Sequence, residues 1–159
     1  EQLKYFKKGI RGKKAPDYSG GKMYAMARTL TAADTEMISE YLAKLPPVKL
    51  SHTIRGNPAK GEEHYGLCST CHGKQAEGNK TLHAPKLTGL NDWYLKAQIK
   101  KYKDGHRGYD AKNSPLAFGM AGMSKTLVND EAIDNTIDYI LALQGQRGTG
   151  EQSTKPKSR

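Results

Sequence analysis

Cys68-Ser69-Thr70-Cys71-His72 is the stretch on which the reading of this chain turns. Two thiols stand three positions apart, with an imidazole directly after the second. On one turn of helix, thiols at that spacing can each add to one of the two vinyl groups of a haem, and the next side chain then lies under the iron as proximal ligand. The same residues admit two other chemistries. A C-x-x-C pair can be a thiol–disulfide centre, but that normally follows a strand in a βαβ unit, and no such context surrounds it here. Half of a zinc site is the other; zinc needs four ligands, no second cysteine pair exists, and His64, His83 and His106 are scattered singly. Covalent haem is the favoured reading.

Composition sets the frame around that motif. With 159 residues, 36% of them apolar and 17 of them glycine, the chain can bury a modest core, to which a bulky apolar cofactor would add. Both cysteines are spent in the motif, so no disulfide framework is available. No run of about 18 apolar residues occurs, and Glu1-Gln2-Leu3-Lys4 has no signal-peptide pattern, so the expectation is a soluble piece of a longer gene product. The net charge of +10 divides unevenly: +5 over residues 1–49, +2 over 50–145 and +3 over 146–159. A nucleic-acid module would concentrate its basic residues on a face with stacking aromatics, and neither feature is present, so no nucleic-acid partner is expected.

Helices are predicted from caps and apolar periodicity. Gln2 to Lys8 is stopped by Gly9; Thr31, with Asp34 in the first turn, opens a helix that ends before Pro46-Pro47. Asn57-Pro58 caps a helix running to about Leu67, immediately before the motif. Asn91 caps Asp92 to about Lys103, with Trp93 read as a core anchor. Asn129-Asp130-Glu131 opens the last helix, to near Leu143, with Ile133, Ile137, Ile140 and Leu141 on its core face. Loops rich in Gly, Pro, Asn and Lys fill the rest, no strand alternation is convincing, and QRGTGEQSTKPKSR at 146–159 reads as a disordered basic tail. The class is all-α.

An internal repeat organises these pieces. Gln2-Leu3-Lys4 matches Gln98-Ile99-Lys100, Phe6 matches Tyr102, and Lys7, Gly9, Arg11 and Gly12 match Lys103, Gly105, Arg107 and Gly108 at one constant offset. With small gaps the match continues: Met23 and Met26 with Met120 and Met123, Leu30 with Leu127, Tyr41 with Tyr139. Residues 1–47 therefore read as the C-terminal half of a first domain without its cysteine motif. A linker at 48–56, a complete domain at 57–145 and the tail follow.

Asn57-Pro58-Ala59-Lys60-Gly61, Cys68 to Gly73, Ala84-Pro85-Lys86-Leu87, Trp93-Tyr94-Leu95, Gly105-His106-Arg107-Gly108 and Met120 together resemble a class I cytochrome c. Specifically, the chain resembles the C-terminal part of a two-domain dihaem member, either a free periplasmic cytochrome or a domain fused to subunit II of a haem-copper oxidase. The resemblance implies three to four helices around one haem c, preceded by half of a second such domain. It also implies an axial Met seven residues before the Leu that introduces the last helix, which selects Met120 over its neighbour Met123. The carbonyl of Pro85 would accept the second N–H of His72, and Tyr65 and Tyr139 would pack where the first and last helices cross, with Gly61 permitting close approach. Met23 would ligate a second haem only in a complete parent protein.

A soft, neutral thioether favours ferrous iron, and two filled axial positions keep substrate from the metal. The expected function is electron transfer in a periplasmic respiratory chain, with redox partner proteins such as a haem-copper oxidase or a membrane quinol-oxidising complex. Its alternative is a haem subunit of a dihaem oxidoreductase acting on a small inorganic compound. Lys96, Lys100, Lys101 and Lys103 read first as a solvated helix face and second as a steering surface for an acidic partner. Covalent haem attachment of this kind takes place outside the bacterial cytoplasmic membrane, so the resemblance implies the periplasm, with or without a membrane tether upstream of Glu1.

Overall fold

The computed structural model of the chain describes residues 1–14, 16–46 and 52–149, apart from the side chains of 144–149. Its helices are α1 (Gln2–Lys7), α2 (Tyr18–Thr29), α3 (Ala32–Lys44), α4 (Pro58–His72), α5 (Asp92–Lys103), α6 (Pro115–Ser124) and α7 (Asp130–Thr149). Among the described residues there is no strand; a single antiparallel bridge, Asn79 to Ala84, pins one loop. The caps are those the residue types dictate. Asn57 accepts from the backbone N–H groups of Ala59 and Lys60, and Asn129 from Ala132. Thr31 and Asp34 satisfy each other's backbone donors as a capping box. Residues 48–51 of the expected linker and 150–159 of the expected tail lie outside the described residues, while α7 continues past Leu143 to Thr149.

Two helices correct the sequence reading. Both α2 and α6 occupy segments expected to be loop, so Met120 and Met123 stand on a helix rather than in a loop before the last one. Gly20, Gly21, Gly119 and Gly122 lower the helix propensity of these segments, but each has a start signal. The Asp17 carboxylate accepts from the Gly20 N–H at 2.9 Å, and Pro115 fills the first turn of α6, where its missing N–H costs nothing.

Two compact units result, Glu1–Lys49 with Gln98–Thr126, and Leu50–Ala97 with Leu127–Arg159. In the first, α1 packs on α2, and Phe6, Ala27, Ile99 and Tyr102 are buried. In the second, α4 crosses α7, whose Ile133, Ile137, Ile140 and Leu141 face inward. At the crossing, a Cβ built on Gly61 would lie 2.0 Å from the Asn135 carbonyl oxygen, so only glycine admits this approach. The rings of Tyr65 and Tyr139 meet beside it, centroids 5.4 Å apart.

Asp92 ties the entry of the second unit to α5. Fully buried, its carboxylate accepts from the backbone N–H of Thr53, of Ile54 at 2.8 Å and of Trp93 at 2.7 Å, and from the Thr53 hydroxyl at 3.2 Å. Burial pushes the carboxyl pKa up, but the Ile54, Thr53 and Trp93 donors outweigh it and hold the group below the ordinary carboxylate range. A depressed folded pKa stabilises the fold fully above the unfolded value of about 4, and the contribution is lost as pH falls through the lower folded value. Asp92→Asn replaces an acceptor by donors facing N–H groups. We expect it to cost about 2–3 kcal/mol at pH 7 and to flatten the loss of stability as pH falls below about 4, measured by urea denaturation followed by circular dichroism.

Candidate haem site

Helix α4 carries Cys68, Cys71 and His72 on its last turn and ends at Gly73, whose φ of +81° turns the chain away. The segment after it folds back on itself. Gly78 N–H donates to the His72 carbonyl at 2.8 Å, Leu87 N–H to the Ala76 carbonyl at 2.9 Å, and Asn79 and Ala84 exchange bonds at 2.9 Å. This returning loop sets the Pro85 carbonyl 2.9 Å from His72 Nδ1. A carbonyl can only accept, so Nδ1 carries the proton and Nε2 keeps its lone pair for a metal. Burial holds the His72 pKa below the usual imidazole range, with the Pro85 bond opposing, so the ring is neutral near pH 7.

Tyr65 closes the other side of the turn. Its hydroxyl donates to the Gly73 carbonyl at 2.7 Å, and burial, then the neighbouring Cys68, pushes its pKa well above the phenol range. This bond fixes the end of α4, and no local sequence signal announced it. Cys68 is half-buried and Cys71 exposed, and they form no disulfide. Burial raises the Cys68 pKa, which disfavours the thiolate that a dithiol redox centre requires. Among the described residues, no three His, Cys, Asp or Glu side chains gather as a metal cluster, so the zinc reading finds no ligand set.

The candidate sixth ligands lie in the other unit, Met120 half-buried and Met123 exposed on α6, with Met23 exposed on α2. Two readings of neighbouring residues change. Trp93 is 60% exposed, its ring edge-on to Tyr94 at 6.0 Å, and is no core anchor. Lys96 pairs with Asp134 at 2.6 Å, and Lys101 with the buried Asp17 at 2.7 Å, so these two cations hold the fold together.

A helix ending in two unbridged thiols and a neutral, oriented imidazole fits a covalently attached haem, and the all-α frame around it is that of a haem-binding electron carrier. The family model for cytochrome c matches residues 58–144. The chain belongs to the cytochrome c family and its cofactor is covalently bound haem c. Over 68 residues it is 40% identical to cytochrome c-554(548) of Halomonas halodenitrificans, covering 42% of this chain and 81% of that protein. It is 33% identical over 121 residues to the thiosulfate dehydrogenase electron acceptor of Thiomonas intermedia, covering 69% of this chain and 52%, about half, of that protein. Cytochrome c-554(547) of Halothiobacillus neapolitanus is 31% identical over 93 residues, covering 56% of this chain and 99% of that protein. No solved structure matches.

Haem staining after denaturing electrophoresis should follow the matured chain, with both thiols blocked to alkylation. Replacing Cys68 and Cys71 together by serine should abolish the stained band.

Proposed function

We propose that this chain is a one-electron carrier of a periplasmic respiratory chain, its iron held between His72 and Met120. The observation that carries this reading is the His72–Pro85 hydrogen bond at 2.9 Å, which orients a neutral imidazole with Nε2 left as the metal-binding nitrogen. When bound, the haem supplies a single iron that gains and loses one electron. The polypeptide's part is to fix the ring of His72, to supply a neutral thioether and to exclude other ligands. Haem attachment outside the cytoplasmic membrane supports the periplasm, and a haem-copper oxidase or a quinol-oxidising complex would be the partner class. The Thiomonas relative is named as the electron acceptor of a dehydrogenase. That name supports a carrier that takes electrons from an oxidising enzyme over the alternative of a subunit that is itself the dehydrogenase.

We further propose that residues 1–47 are the C-terminal half of a first cytochrome c domain, with Met23 the counterpart of Met120. On α7, Ile140 and Leu143 are buried, whereas their counterparts, Leu42 on α3 and Leu45 at its C-cap, are 56% and 48% exposed. The bare face corresponds to the one that α4 covers in the complete repeat.

Two measurements test these readings. Met120→Ala should lose the weak methionine-to-iron charge-transfer band of the ferric protein, bind carbon monoxide readily and lower the potential by on the order of a hundred millivolts; Met123→Ala should do none of these. If the unaltered holoprotein binds carbon monoxide readily at neutral pH, the carrier reading fails. Amide exchange at 33–44 should be fast for a half domain, and protection equal to that of α7 would refute that assignment.

A further inference from the structure

We infer that Tyr65 is a positioning residue for His72: its hydroxyl pins the turn at 73–78, that turn holds the Pro85 carbonyl against the imidazole, and the firmness of the hold tunes the haem potential. This rests on the reading of His72 as an axial ligand and adds what adjusts that ligand.

Pro85 has no N–H of its own, so its neighbours set its place. Both of its flanks hang on one turn. On one side Ala84 exchanges hydrogen bonds with Asn79 at 2.9 Å, and on the other Leu87 N–H donates to the Ala76 carbonyl at 2.9 Å. Between these two attachments Gly78 lies backbone to backbone against the link from Pro85 to Lys86. At its φ of +82°, a Cβ would meet the Lys86 nitrogen at 2.5 Å and the Pro85 carbonyl carbon at 2.8 Å. The Pro85 carbonyl therefore goes where the turn goes.

Left to itself, this turn would not keep its shape. Ala76 is fully buried at φ +52°, a left-handed conformation that favours glycine or asparagine over alanine. Such backbone persists only where its surroundings over-determine it. Three hydrogen bonds to the end of α4 do so. Gly78 N–H donates to the His72 carbonyl at 2.8 Å, Ala76 N–H to the Gly73 carbonyl at 3.1 Å, and the Tyr65 hydroxyl to that same Gly73 carbonyl at 2.7 Å. The first two close the turn on itself. Of the three, the Tyr65 bond alone comes from the body of the helix. Its donor is in turn held fast, because the ring is 2% exposed and stands on Tyr139, centroids 5.4 Å apart, beside the close approach at Gly61. Tyr65 lies about two turns before His72 on the same face of α4, so one face of the helix carries both the imidazole and the group that sets its partner.

A ligating imidazole becomes a stronger donor when an acceptor holds its other N–H firmly, and a stronger donor favours ferric iron. Loosening the turn thus weakens the Nδ1–H bond to Pro85, which measures 2.9 Å, and raises the reduction potential. A ring that only filled space beside Tyr139 would have neither effect, and phenylalanine would serve there equally well. The hydroxyl separates the two roles.

The reduction potential and hydrogen exchange of the full 159-residue holoprotein provide the test. Tyr65→Phe keeps the ring on Tyr139 and removes one oxygen. It should shift the ferric–ferrous equilibrium about threefold toward ferrous and speed exchange of the His72 ring N–H about tenfold, with amide protection along α7 unchanged. If neither the potential nor the ring exchange moves, or if α7 loses protection to the same extent, the tyrosine only packs and the positioning role is refuted. Gly78→Ala presses on the Pro85 backbone without touching Tyr65 and should move both readouts in the same direction; no movement would overturn the link from turn to carbonyl. Should a variant fail to fold, the unaltered holoprotein still decides. The amides of Ala76, Gly78 and Leu87 should exchange through one common opening, and independent openings would refute the coupling. The low-spin spectrum and the methionine-to-iron band of the unaltered holoprotein report separately on axial ligation, since their absence would overturn that reading whatever the turn does.

Discussion

The close crossing of α4 and α7 at Gly61 is the constraint from which the haem-bearing unit follows. Because the Asn135 backbone occupies the space where a Cβ would sit, the two helices meet backbone to backbone. Their polar groups then lock the register: Asn57 N–H donates to the Asn135 side chain at 2.7 Å and Gly56 N–H to Asp138 at 3.0 Å. One turn further on, Tyr65 packs on Tyr139 and reaches the Gly73 carbonyl, so the position of the crossing is transmitted to the residue directly after His72. The His72 end of α4 is thus fixed by a contact three turns away. A residue larger than glycine at 61 would move His72 without touching it.

Charge is used inside this protein more than its net value suggests. An excess of +10 reads as a surface property, yet several of the ionic contacts are structural. Asp92 is held by backbone donors and needs no cation. Asp17 caps α2 through Gly20 and also pairs with Lys101, joining a helix start to a residue far along the chain. Lys96 bridges α5 to Asp134 of α7. The largely buried Lys101–Asp17 pair adds little net stability over apolar substitutes but penalises every other arrangement, because breaking it leaves a charge stranded. In a chain only 36% apolar, such contacts set the geometry where the core is thin.

Local signals made much of this legible. The C-x-x-C-H spacing, the caps at Asn57, Thr31 and Asn129, and the apolar stripe of α7 all act over a few residues, and single-chain chemistry determines them. What was illegible depended on distance or on competing tendencies. Gly20, Gly21, Gly119 and Gly122 outweighed the start signals of α2 and α6 in any propensity count, whereas in the folded protein the Asp17 cap and packing in the first unit win. Trp93 sits at a helix start among apolar neighbours, so bulk alone argued for burial, but its orientation on α5 turns it outward. Asp92 stands in the first turn of α5. Its four donors come partly from Thr53 and Ile54, which nothing nearby in sequence connects to it.

The repeat is the case in which sequence and structure inform each other most. Residues that match at a constant offset adopt matching turns: Arg11 N–H donates to the Tyr5 carbonyl at 3.2 Å and Arg107 N–H to the Lys101 carbonyl at 3.0 Å. The contacts between the matching segments are reciprocal, Arg11 donating to Gln98 at 2.9 Å and Arg107 to Gln2 at 3.3 Å. Where the matching residues differ, Tyr5 against Lys101 and Asp17 against Ser114, the contacts differ too: Lys101 pairs with the buried Asp17 at 2.7 Å, an ion pair that tolerates no other arrangement because breaking it strands a charge.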